Sequence, residues 1–262
     1  MKIVVPVALL FLIGCKTEEK KEAPAMAGAY NMLSQHVKVD KTDTTYTDYA
    51  QLKIFTGDYM MYAGINSPDS VSGFGIGSYT SSSDSVTETV IYSASDSSKS
   101  DSVSNYHLMI TKTPKGYRQV ISGMQTSNGP LELTEEYETV GSTDKSPLDG
   151  AWKQTKNYWI KGRDTTVNTG TQYKTYGAGH FIWGHTYADS TKKIHTGIGF
   201  GKFTMNGSKV KESVTASTYY DVRGKDVDID VQLDGTNAFI QTMRNADSTI
   251  SVEFYQRLTK QL

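Results

Sequence analysis

The sequence predicts an all-β protein made of two tandem up-and-down β-barrels of about eight strands each. Three observations carry that expectation. Threonine, serine, tyrosine and valine are abundant, only 6 of 262 residues are proline, and no long stretch repeats apolar residues with helical period, a combination that favours strands. The length suits two units of roughly 110 residues, each large enough to bury its own core. One hairpin-like stretch also occurs twice, which makes the units copies of one plan.

That stretch is 196–214, TGIGFGKFTMNGSKVKESV. Its Asn206-Gly207 pair reads as a type I′ hairpin turn, which needs positive φ at both central residues. Gly75-Ile76-Gly77-Ser78-Tyr79 matches Gly199-Phe200-Gly201-Lys202-Phe203, and Val86-Thr87-Glu88 matches Val210-Lys211-Glu212. Glu88 follows Gly77, and Glu212 follows Gly201, by the same 11 positions.

The chain opens on a positive Met1-Lys2 and an apolar run of 11 residues at 3–13, too short for an ordinary transmembrane helix. The run ends in Leu12-Ile13-Gly14-Cys15, which resembles the lipobox of bacterial lipoproteins. The resemblance implies that 1–14 is a signal peptide and that Cys15 carries lipid on its sulfur and new N-terminus, a lasting membrane anchor. Cys15 is the single cysteine, so no internal disulfide can form and both units depend on their cores. Residues 15–25 read as a flexible charged tether. The acidic start of that tether resembles signals that send some Bacteroidota lipoproteins to the outer face of the outer membrane. The expected location is the outer membrane, at its periplasmic face or the cell surface.

The first unit spans 26–140, with the clearest strand-like runs at 72–80, 85–93, 106–111 and 118–122. Turn-rich pieces lie at 64–70 and at 93–104, the latter a serine-rich stretch of disorder-prone composition. Residues 141–147 read as a linker, and the second unit spans 148–262 in matching order. Gly28-Ala29-Tyr30 answers to Gly150-Ala151-Trp152, Lys53 and Phe55 to Lys174 and Tyr176, Gly57-Asp58-Tyr59 to Gly179-His180-Phe181, and Glu135-Glu136-Tyr137 to Glu253-Phe254-Tyr255. These Gly-x-aromatic and Glu-x-Tyr landmarks, with the Gly-x-Gly hairpin and its glutamate, resemble lipocalin-like domains, which are frequent in Bacteroidota lipoproteins. The resemblance implies two lipocalin-like barrels whose interiors hold side chains or one small ligand.

Alternation places Glu88 on one face with Val86 and Val90, and Glu212 with Val210 and Val214. Turned inward, each glutamate is either the polar anchor of a ligand cavity or a structural carboxylate with a cation or hydroxyl partner. Tyr59, Phe74, Tyr79, Phe181, Trp183, Phe200 and Phe203 are aromatic candidates for lining a cavity. His180, His185 and His195 cluster in the second unit, but His180 and His185 are five apart, on opposite strand faces, so no metal site is expected. Thr44, Ser70, Ser85, Ser102, Thr165, Ser190 and Ser248 each follow aspartate in a pattern that resembles the O-glycosylation acceptor of Bacteroidota envelope proteins.

A net charge of −1 gives no case for a nucleic-acid partner. There is no nucleophile elbow, phosphate loop or dinucleotide fingerprint, so no catalytic residue and no cofactor are expected. The expected function is non-catalytic binding of a small, partly apolar ligand at the membrane. The alternatives are an interaction module with filled barrels that meets protein or glycan partners at its loop ends, and an enzyme using a barrel cavity.

Overall fold

The computed structural model describes residues 26–66, 72–95, 98–126, 128–245 and 247–259; Cys15, the signal segment, the tether and Ser70 lie outside them. The first barrel runs through β1 (Gly28–Val39), β2 (Thr42–Tyr46), β3 (Tyr49–Phe55), β4 (Tyr59–Asn66) and β5 (Ser72–Ser81). It continues with β6 (Ser85–Ser95), β7 (Ser98–Ser100), β8 (Ser104–Lys112), β9 (Gly116–Thr126) and β10 (Gly129–Thr139). The second comprises β11 (Gly150–Lys161), β12 (Asp164–Val167), β13 (Thr171–Gly177), β14 (His180–Ala188) and β15 (Ile194–Asn206). Its last strands are β16 (Lys209–Ser217), β17 (Asp226–Asp234), β18 (Ala238–Arg244) and β19 (Ile250–Arg257).

Every pairing is antiparallel, and β1 closes on β10 as β11 closes on β19. Each unit is therefore a closed eight-stranded lipocalin-like barrel, with β2, β7 and β12 as short additions. Closure removes the free edges of an open sheet. The serine-rich stretch departs from its disorder-prone composition: Ser98–Ser100 folds back as β7 on the end of β6. Of the turn-rich piece at 64–70, Gly64 to Asn66 belong to β4.

The repeat extends to irregularities of the ladder. A bulge interrupts β5–β6 between Ile76 and Gly77, and another interrupts β15–β16 between Phe200 and Gly201. A Cβ at Gly77 would strike the Thr89 carbonyl, and one at Gly201 the Ser213 carbonyl, so the bulges require glycine. The β15–β16 turn differs from the expected type I′. Asn206 pairs with Lys209, which makes Gly207 and Ser208 the central residues. Positive φ is confined to Gly207 at 58°, the pattern of a type II′ turn with glycine first.

The barrels stand side by side on a largely apolar, buried interface. Outward residues of the first (Ile54, Met61, Phe74) and of the second (Ile182, Ile198, Phe200) form one buried cluster. Gly184 leaves room for Phe74, whose ring a Cβ would meet at 2.5 Å. Tyr92 Oη lies 2.5 Å from Thr186 Oγ1, and Thr196 Oγ1 donates to the Ser95 carbonyl at 2.7 Å.

Candidate functional site

Strand alternation turns Lys53 and Gln51 of β3, Glu88 of β6, Gln119 of β9 and Glu135 and Tyr137 of β10 into the first barrel. Lys53 Nζ lies 2.5 Å from Glu88 Oε1 and donates to Gln119 Oε1 at 3.3 Å. Gln119 Nε2 donates to Glu135 Oε2 at 2.5 Å, and Tyr137 Oη donates to the same carboxylate at 2.9 Å. Gln51 Nε2 reaches Tyr137 Oη at 2.5 Å.

The second barrel repeats the chain group for group. Lys174 pairs with Glu212 at 2.7 Å and donates to Gln241 at 3.1 Å. Gln241 Nε2 donates to Glu253 Oε2 at 2.7 Å, Tyr255 Oη does so at 2.5 Å, and Gln172 bonds Tyr255. Tyr176, standing where the first barrel has Phe55, adds a bond to Glu212 at 2.6 Å. Lys53, Lys174, Glu88 and Glu212 are each at least 95% buried. Burial raises the Tyr137, Tyr176 and Tyr255 hydroxyls well above their ordinary range, and the adjacent carboxylates add to it. They stay protonated and donate. Each interior thus holds one ammonium against two carboxylates.

Above this shared level the barrels diverge. The first holds Gln35, whose Nε2 donates to Glu135 Oε1 at 2.7 Å, and Tyr49, whose ring stacks over Gly64 where a Cβ would otherwise stand. At the register positions of Gln35, Val37 and Leu133 the second barrel has Asn157, Trp159 and Ser251. Gly197 and Gly199 make room on β15 for His185 and Trp183, whose rings they face. Trp183, His185 and Tyr219 stack, with Trp183 at 5.7 Å and 5.9 Å from the other two, and Tyr219 Oη is 2.6 Å from His185 Nε2. Burial pushes His185 down to about 4, so its ring is neutral near pH 7. The rim around this end exposes Trp159 (52%), Tyr187 (41%) and Tyr220 (80%).

Glu88 and Glu212 point inward with lysine partners. Phe181 and Phe203 are buried in the second core, and Trp183 stands above them. Tyr79 packs on Phe55 and donates to the Thr56 carbonyl at 2.7 Å. Tyr59, Phe74 and Phe200 belong to the cluster that joins the barrels, away from either interior. Met60 is fully buried in the first core and Met61 in the joining cluster. His180 bonds the Ala178 carbonyl, and His195 pairs with Asp189 at 2.7 Å; the three histidines do not converge. Thr44 and Thr165 are exposed on β2 and β12, one register step apart in the two repeats. Ser102, Ser190 and Ser248 are also exposed, and Ser85 is half-buried beside Ser82.

Sequence reasoning passed over the lysine, glutamine and asparagine members of the interior, and Trp159. The signal for the lysines was available: Lys53 and Lys174 alternate with Phe55 and Tyr176 on one strand face. A cavity of about 140 Å³ lies at the opposite end of the first barrel, lined by Met26, Tyr30, Ser85, Ile110 and Tyr117 among others. The buried Tyr117 hydroxyl has no hydrogen-bond partner among the described residues, and the space there accommodates a few waters.

No family model matches the chain, and no curated protein matches it. Similar solved structures include two at 12% identity. One is a protein of unknown function from the DUF3598 family of Nostoc punctiforme, covering 89% of this chain and 96% of that one with a TM-score of 0.26. The other is a mutant of the vaccine antigen transferrin binding protein B from Haemophilus parasuis, covering 88% of this chain and 67% of that one with a TM-score of 0.27.

Proposed function

We propose that the protein is a non-catalytic binding module of the bacterial cell envelope, held at the outer membrane by lipid on Cys15, in which barrel 1 is structural and barrel 2 meets the ligand. The observation that carries this reading is the divergence of two otherwise matched interiors. Above the common polar chain, barrel 1 carries Gln35 and Tyr49, whereas barrel 2 carries the stacked Trp183, His185 and Tyr219 and exposes Trp159, Tyr187 and Tyr220 around that end. Exposed aromatics around convergent polar groups are a recurring arrangement of small-ligand sites. The buried carboxylates are each tied to lysine, glutamine or tyrosine, which favours a structural role over acid–base work. Thr44 and Thr165, exposed on the short strands β2 and β12, are the first candidates for sugar attachment under the same envelope reading.

Native mass spectrometry of the full-length protein from envelope membranes tests the binding claim. The expected result is a discrete adduct that disappears on denaturation and in Trp159→Ala, and persists in Tyr49→Phe. An adduct unaffected by Trp159→Ala would move the site away from barrel 2. For the anchor, Cys15→Ser is expected to shift the protein from the membrane to the soluble fraction; unchanged membrane retention would refute lipid attachment there.

A further inference from the structure

We propose that the upper half of barrel 2 binds a small primary amine, its ammonium seated between Asn157 and Glu253 and its organic tail passing Trp159 to solvent. This deepens the reading of barrel 2 as the binding unit and rests on it.

The two barrels supply an internal comparison. Gln35 and Asn157 occupy the same place, each directly across the ladder from the glutamate of its barrel, Glu135 or Glu253. Gln35 reaches its glutamate at 2.7 Å. Asn157 is one methylene shorter, and its Oδ1, in a side chain that is 96% buried by the residue's 4% exposure, has no hydrogen-bond partner among the described residues. Leaving a buried acceptor unpaired is unfavourable. The same shortening relieves Glu253 Oε1 of a strong donor; it accepts from Ser251 Oγ at a long 3.3 Å.

Two under-used acceptors therefore belong to residues paired across β11 and β19, and a ligand there must donate. Charge selects among donors. The interior holds Glu212 and Glu253 against Lys174 alone, and His185 is neutral, so a cation is favoured over a neutral hydroxyl and an anion is excluded. A primary ammonium has three N–H donors for these acceptors. Two residues further along the same face of β11, the half-exposed Trp159 ring suits a cationic head and an apolar tail.

Isothermal titration of the full-length protein with n-butylammonium chloride, against 1-butanol at the same ionic strength, tests the claim. Saturable ammonium binding at least about tenfold tighter than butanol is expected. Asn157→Gln is expected to weaken it by at least about tenfold, because the longer amide reaches Glu253 as Gln35 reaches Glu135. Its melting temperature should equal or exceed that of the parent, which separates a filled site from a damaged fold. Equal affinity for butanol, no saturable binding, or an unchanged affinity in Asn157→Gln would each overturn the amine. A native adduct lost in Trp159→Ala, together with no amine binding, would overturn the amine and leave barrel 2 as the binding unit.

Discussion

Single residues inside these barrels carry charge where a small β domain usually carries only hydrocarbon. Lys174 and Glu212 are held together by mutual need, since either alone would be an uncompensated buried charge. Replacing Lys174 by Met should cost about 3–5 kcal/mol, read as a fall in the urea midpoint. The double variant Lys174→Met/Glu212→Gln should recover much of that loss; a single variant as stable as the parent would mean the pair is not structural. His185 gives a second residue-scale effect. Its pKa falls from about 6.5 in the unfolded chain to about 4 in the fold through burial, so the unfolded state binds the proton first. Stability should decline as pH falls below about 6.5 and level off below about 4, by roughly 3–4 kcal/mol at most. His180 is lowered by burial as well, so melting curves of His185→Gln should show a shallower acid slope than the parent. An identical slope would remove His185 from that account.

At the scale of elements, glycines on β5 and β15 make room for neighbouring rings and backbone. On β15 the inward positions 197, 199 and 201 are all glycine, and each is occupied by a neighbour: the His185 ring, the Trp183 ring and the Ser213 backbone. Rings can yield, but backbone cannot. Gly201→Ala should therefore lower stability by about 2–3 kcal/mol through overpacking at the bulge. Gly57→Ala, where nothing lies within 4 Å, should stay within about 0.5 kcal/mol. Chemical denaturation of both variants makes the comparison, and a tolerated Gly201→Ala would show that the bulge does not demand glycine. The loop between β16 and β17 belongs to the same assembly. Arg223 grips the Ser217 carbonyl at 2.9 Å and 2.6 Å, and so fixes Tyr219 where it meets His185.

For the whole molecule, the joining cluster decides whether two barrels behave as one body. Phe74 is 1% exposed and fits the space left by Gly184, so the barrels should unfold together. Calorimetry is expected to give a single transition with matching calorimetric and van't Hoff enthalpies. Gly184→Val, which drives a side chain into Phe74, should split it into two transitions and leave both barrels folded. Two transitions in the parent protein would show that the interface does not couple them. Such coupling also explains why Phe74 and Phe200 are aromatic without facing either interior: they hold the repeats in one orientation.

The amino-acid sequence by itself determined the β class, the duplication, the landmarks of each repeat and the face that Glu88 and Glu212 share with their neighbouring valines. These depend on period-two alternation and on glycine's backbone freedom, which are local properties of the chain. The II′ turn at Gly207 escaped it because Asn206-Gly207 suits type I′ equally well until the Asn206–Lys209 pairing is known. Only the tertiary structure decided which barrel face each aromatic occupies, because a strand's two faces are indistinguishable when one meets a core and the other meets a second barrel. That is why Tyr59, Phe74 and Phe200 read as cavity residues and proved to be interface. It also decided that Lys53 and Lys174 answer the glutamates and that Asn157 falls one methylene short of its own. Those facts depend on registers between strands distant in the chain, and no local pattern encodes them.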